Sequence, residues 1–194
     1  MNIKKSTHSD IKSLDKNKKV RMYACPMNDD EMMMKLALEQ AQMAAAAGEI
    51  PIGAVLCMGD RVLAAAHNRP ISLQDPSAHA EMLAIRQGAA ALKNYRLTKT
   101  TLYVTLEPCP MCTGLLVQAR IGRLVFGAAD PKSGAVASLY QILGDRRLNH
   151  SVSVTRGILK EACAEILSGF FQEKRLLSRP PSGREECGEV PKWS

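Results

Sequence analysis

The order in which strand-like and helix-like segments follow one another constrains this chain more than any other feature. Behind Asn28, Asp29, Asp30 and Glu31, the apolar positions Met33, Leu36, Ala37, Ala41 and Ala44 recur at helical spacing, and Gly48 closes the run. An acidic first turn and a terminal glycine are helix start and stop signals. After Pro51 come two short extended stretches, GAVLCM and RVLAAAHN, separated by Gly59 and Asp60, which is a β-hairpin signature. Residues 79–93 then read as a helix, 100–106 as a buried strand, 109–120 as a helix and 122–127 as a strand. A short helix over 136–144, a last strand over 151–155 and an amphipathic helix over 157–177 complete the series. Each strand-helix-strand passage needs a crossover that covers the sheet. The expected fold is therefore α/β: a three-layer α/β/α sandwich around a central five-stranded sheet, mixed because of the opening hairpin.

A chain of 194 residues, 46% hydrophobic and 23% charged, can bury one real core, which excludes wholesale disorder. It has no run of 18 apolar residues, and its first 28 residues are polar and Lys-rich without an apolar stretch. Neither a membrane span nor a secretory signal is expected, and the protein is expected in the cytoplasm. Seven basic residues against Asp10 and Asp15 give residues 1–28 a charge of +5 out of the net +7. This basic N-terminal tail is expected to be disordered, with residues 29–177 forming the domain. Residues 178–194, with three prolines and two glycines, are expected to be a flexible C-terminal tail. A terminal charge run usually serves only as a solvated tail; the other reading is a tether for a polyanionic partner.

Six cysteines could form three disulfides, but a leaderless chain is expected where thiols stay reduced. Cys57 and Cys163 lie in apolar stretches and read as packed side chains. Cys109 and Cys112 read as metal or redox chemistry. They open one expected helix, in Pro108-Cys109-Pro110-Met111-Cys112, and His79, Ala80 and Glu81 open another 30 residues earlier. Singly, each has an ordinary explanation: a histidine at a helix start is commonly a cap, and a glutamate there is favoured by the helix dipole. Together, one imidazole and two thiolates suit zinc, and three protein ligands leave the fourth tetrahedral position open, which marks a catalytic site. Helix N-termini favour thiolate over thiol, so both sulfurs are placed to ionise. Zinc at an open site can lower the pKa of water from ~15.7 to about 7, and Glu81, projecting away from His79, could carry the proton to a leaving amine.

This H-x-E with P-C-x-x-C pattern resembles the signature of zinc nucleobase deaminases. The stretches EIPIGAVL (49–56), HNRPISLQDPSAHAEMLAIRQG (67–88), NYRLTKTTLYVTLEPCPMC (94–112) and RIGRLVFGAADPKSGA (120–135) go further. With LNH (148–150) and the helix ending SGFFQEKR (168–175), they closely resemble the bacterial tRNA-specific adenosine deaminases of the TadA type, in the cytidine deaminase-like superfamily. Cytidine deaminases typically carry cysteine where this chain has His79, and riboflavin-pathway deaminases use a wider cysteine spacing.

The resemblance implies one zinc ion per chain on His79, Cys109 and Cys112, with Glu81 as proton shuttle and Asn68 holding the target base. It also implies that Asp130, Asn149 and Phe171 contact flanking nucleotides, whereas Phe170 is expected to pack against the sheet. Lys174 and Arg175 could reach phosphates, but complementing the helix dipole suffices to explain them. A homodimer acting on the anticodon stem-loop of tRNA, converting adenosine to inosine at the first (wobble) anticodon position, is the implied assembly and activity. Two rivals share parts of the pattern: a deaminase of free guanine, cytosine or a nucleoside, and a non-catalytic RNA-binding protein with structural zinc. Glu81 and the open ligand position argue against the second.

Overall fold

The computed structural model describes residues 29–177. The expectations for the tails, 1–28 and 178–194, lie outside the described residues.

Helix α1 (Asp30–Ala46) starts where Asp29 accepts the backbone N–H groups of Glu31 and Met32, with Asp30 and Glu31 favourably placed at the positive end of the helix dipole. Strands β1 (Gly53–Met58) and β2 (Arg61–His67) form the antiparallel hairpin, closed by Gly59 and Asp60. Gly59 has φ +61°, a left-handed conformation that tight two-residue hairpin loops reserve for glycine. The short helix α2 (Pro70–Leu73) and helix α3 (Ala80–Leu92) lead to β3 (Thr100–Leu106), α4 (Pro110–Gln118) and β4 (Arg123–Ala128). A long connection then reaches β5 (Ser153–Arg156) and the last helix, α5 (Lys160–Leu177).

The five strands order as β2-β1-β3-β4-β5. The hairpin and the β1/β3 pair are antiparallel, while β3/β4 and β4/β5 are parallel, so the sheet is mixed as expected. Strand periodicity divides the core between the two faces. Leu56, Leu102, Val104, Leu124 and Phe126 point to one side, where Ala80, Ala84 and Ile85 of α3 and Leu116 of α4 meet them. Val55, Cys57, Tyr103 and Val125 point to the other, under Met33, Met34 and Ala37 of α1 and Cys163 of α5. This is the three-layer sandwich, and Cys57 and Cys163 are packed core residues.

The α1 layer is tied to the sheet by a polar network. Arg123 donates from both terminal nitrogens to the Asp30 carboxylate, at 2.8 and 2.6 Å, and also to Thr155 Oγ1 at 2.9 Å; the Tyr103 hydroxyl donates to Asp30 at 3.0 Å. The Arg123 hydrogen bond holds the Asp30 carboxyl below its ordinary pKa, against the opposing effect of burial. Asp30→Asn is expected to destabilise the fold at pH 7 by about 1.5–3 kcal/mol, the usual range for charge-assisted hydrogen bonds. Because the folded-state pKa is depressed, this contribution is complete above the unfolded value of about 4 and disappears as the pH falls through the folded value. Thermal unfolding of wild type and variant should differ at pH 7 and converge in acid; a constant difference would reject the charge as its origin.

Two local expectations need correction. Residues 136–144 form no α-helix: turns lead to a 3-10 turn at Ile142–Gly144. The backbone N–H groups of Val136, Ala137 and Ser138 donate instead to the carboxylate of Glu107, so they are held by a side chain from β3's end rather than by helical carbonyls. The last helix begins at Lys160 rather than residue 157, because Gly157 (φ +86°) and Leu159 (φ +50°) first make a left-handed turn.

Candidate active site

The parallel β3/β4 pair places the start of α4 at the carboxyl end of β3, where the chain turns through Glu107 and Pro108 into Cys109. Cys109 occupies the N-cap of α4, Pro110 its first helical position, and Cys112, fully buried, its first turn. His79 is the N-cap of α3 on the same face of the sheet. Two helix starts thus meet, and His79 Nδ1 lies 3.7 Å from Cys109 Sγ and 3.6 Å from Cys112 Sγ. All three ligand atoms lie within 4.8 Å of one another.

The cluster passes a test of fit for zinc. Zn–N near 2.0–2.1 Å and Zn–S near 2.3 Å at tetrahedral angles set nitrogen and sulfur roughly 3.5 Å apart. The observed distances agree with that spacing, and the donors are of the borderline-to-soft type zinc prefers. The Cys109 thiol is drawn down to about 4, first by its hydrogen bond with Cys112 and also by His79, against burial. Cys112 is pushed up by the same hydrogen bond and by burial. No second histidine completes the set as a fourth ligand among the described residues: His67 Nδ1 pairs with Gln40 of α1, and His150 Nε2 meets the carbonyl of Ile121.

Glu81 lies in the first turn of α3 and is only 4% exposed. Burial raises its carboxyl pKa above the ordinary range. Among the described residues, its Oε2 is the one buried side-chain nitrogen or oxygen atom without a hydrogen-bond partner. Such a group is costly to bury, and its place beside three metal-type donors makes it a candidate functional carboxylate.

Asn68, just past β2 and buried, accepts at its Oδ1 the backbone N–H of Ala80, at 2.9 Å. It therefore caps α3, whose own N-cap His79 makes no side-chain cap. The other sequence-derived contacts are less concentrated. Asp130 is committed locally, accepting from the N–H groups of Lys132 and Ser133 and from the Ser133 hydroxyl. Asn149 is exposed between the 3-10 turn and β5, and its carbonyl accepts from Arg120. Phe171, half exposed, belongs to α5, the helix on the sheet's other face, where it meets Phe170 edge-on at 5.7 Å. Phe170, expected against the sheet, lines a groove between α5 and the end of α1, beside Ala45 and Gly48. Lys174 and Arg175 occupy the last turn of α5, the placement that complements the helix dipole.

Sequence reasoning assigned no role to two buried glutamates. Glu49, 1% exposed, accepts the N–H groups of Ile71 (3.2 Å) and Ser72 (2.7 Å), fixing α2 beside Asn68. Glu107, 2% exposed, accepts from Asp130, Val136, Ala137 and Ser138. Burial pushes both carboxyls up, but these hydrogen bonds outweigh it and keep both below the ordinary range. A carboxylate embedded in each apolar motif, EIPIGAVL and TLYVTLEPC, was the available signal.

The sheet, the paired helix starts and the His/Cys/Cys cluster with its adjoining glutamate define a nucleobase-deaminase type of enzyme, and the model of the MafB19-like deaminase family matches residues 27–175. Among curated relatives, the tRNA-specific adenosine deaminase of Haemophilus influenzae is 51% identical over 147 residues, 75% of this chain and 85% of that protein. The tRNA-specific adenosine deaminase of Bacillus subtilis is 48% identical over 149 residues, 77% of this chain and 92% of that protein. A structure solved in work on A-to-I editing by tRNA:A34 deaminases at the wobble position is 45% identical, with a TM-score of 0.68, covering 70% of this chain and 99% of that one. The chain belongs to the tRNA-specific adenosine deaminase family.

Proposed function

We propose that this chain converts adenosine to inosine at the first anticodon position of tRNA, as a cytoplasmic homodimer with one zinc ion per chain held by His79, Cys109 and Cys112. The observation that carries this reading is the buried, unpartnered Glu81 Oε2 beside a donor cluster with zinc spacing. Zinc there supplies the Lewis acidity that makes water a nucleophile at neutral pH. Glu81 takes a proton from the attacking water and delivers it to the ring nitrogen as the C6–O bond forms, then carries the proton of the new C6 hydroxyl to the amino group, which leaves as ammonia as the C6–N bond breaks and the C6 carbonyl forms. Asn68 orients the base, and a loop base costs less to extrude than one in a duplex. The identity with named tRNA deaminases supports tRNA over a free base as substrate. No helix among the described residues is long and apolar enough to cross a membrane.

The test is a substrate panel: tRNA transcripts, an anticodon stem-loop, free adenosine, cytosine and guanine, with inosine and ammonia measured. The stem-loop should be deaminated and free adenosine should react poorly, because binding energy from the loop positions the reacting carbon. Efficient turnover of guanine or cytosine with none on the stem-loop would transfer the assignment to a free-base deaminase. Light scattering at twice the chain mass checks the dimer. Asn68→Ala should impair deamination while leaving the metal bound, and should also lower stability by about 1 kcal/mol through the lost α3 cap. Activity is therefore compared well below the unfolding temperature, and unimpaired turnover there would confine Asn68 to capping. Deleting residues 1–27 should flatten the salt dependence of RNA binding by about 0.7 in log–log slope for each phosphate the basic tail neutralises, at unchanged saturated rate. Parallel salt lines would discard the tether.

A further inference from the structure

The 130–140 segment has no helix or strand of its own, yet it stands against the metal-site loop. The Ala135 N–H donates to the Pro108 carbonyl at 2.9 Å, immediately before Cys109. Turns within the segment and the Asp130 side chain bind it locally, and five further hydrogen bonds converge on one side chain from outside it. Glu107 Oε1 accepts from the N–H groups of Val136 (3.0 Å), Ala137 (2.7 Å) and Ser138 (2.9 Å), and Oε2 from the Asp130 N–H (3.1 Å) and the Ser138 hydroxyl. Gly134 lies so close over this carboxylate that a Cβ there would meet Glu107 Cδ at 2.5 Å and Oε2 at 2.6 Å. The far end of the segment carries Leu139 and Tyr140, 53% and 51% exposed, an apolar and aromatic surface of the kind on which unstacked bases rest.

We propose that Glu107 is a positioning residue for the reaction: its buried carboxylate clamps segment 130–140 beside the metal loop as the wall against which the substrate RNA is held. This rests on the tRNA reading above. The clamp is independent of acid-base chemistry, since every acceptor position of Glu107 named here is filled by the segment itself. Loosening it displaces a wall rather than a reacting group, so the loss falls on substrate binding more than on turnover.

The experiment uses full-length, metal-loaded protein and an anticodon stem-loop. Glu107→Gln keeps an oxygen for the N–H groups of residues 136–138 but faces the Asp130 N–H with an amide donor. Ser138→Ala removes only the hydroxyl contact, and Gly134→Ala presses on the carboxylate and, equally closely, on the Asp130 carbonyl that it also faces. Each should raise KM, with Glu107→Gln on the order of tenfold and Ser138→Ala less, while kcat changes by a smaller factor and zinc content stays constant. Hydrogen exchange at the amides of residues 130–138 should accelerate in the same order. Asp30→Asn is the structural control, since it lowers the unfolding temperature without moving KM. If Glu107→Gln does not fold, Ser138→Ala and Gly134→Ala carry the test. An active wild type whose KM is unmoved in the folded variants overturns the Glu107 assignment alone. A wild type inactive on the stem-loop overturns the tRNA reading and, with it, this proposal.

Discussion

Cys112→Ala will yield a protein without bound zinc and without measurable deaminase activity, and Cys109→Ala the same. His79 Nδ1 sits at nearly equal distances from the two sulfurs, so neither cysteine is peripheral to the cluster. A three-ligand site that loses one thiolate keeps only two donors, and its affinity falls accordingly. Cys112 is fully buried in the first turn of α4, so its replacement by alanine also leaves a small space in the core next to Leu116. That effect is modest, because a cysteine differs from alanine by one atom. Metal analysis on protein that retains its far-ultraviolet dichroism separates the two causes. Full zinc occupancy in both variants would falsify the ligand assignment.

Glu81→Gln should lower kcat on the order of 100-fold or more, the usual share of a general acid-base residue, with zinc retained. The same substitution should leave the metal-free protein at least as stable as wild type. Glu81 is nearly fully buried with one oxygen unpartnered, an arrangement that costs folding energy and is kept for what the carboxylate does. A side chain of the same shape without the charge removes that cost. Activity and apoprotein stability are therefore expected to move in opposite directions. Turnover near wild type in Glu81→Gln would mean the proton travels by another route, and a marked loss of apoprotein stability would mean the carboxylate has a structural partner.

The alternation of segments made the fold legible because strands and helices have different apolar periods. Val55 and Cys57 face one layer and Ala54 and Leu56 the other, as period two requires. The His/Cys/Cys cluster was legible because each donor type and the helix-start context could be read locally at His79 and at Cys109-Cys112. The segment 136–144 was misread for a related reason. Its residues are compatible with a helix, but local preference is weak where a buried acceptor 30 residues away offers the same N–H groups a partner. Phe170 shows the same limit: nothing local to its helix tells that the end of α1 lies beside it.

The sequence by itself determined the order of the elements, the mixed sheet and the two local motifs, His79-Ala80-Glu81 and Pro108-Cys109-Pro110-Met111-Cys112, since each is written in residues close to one another in the chain. Only the tertiary structure decided that two helix starts 30 residues apart bring their donors to within 4.8 Å, that Asn68 caps α3, and that Glu49 and Glu107 hold the segments on either side of the site. The physical reason is that a hydrogen bond or a metal cluster depends on distances of a few ångströms between groups remote in the chain, and those distances exist only once the sheet has fixed where each strand ends.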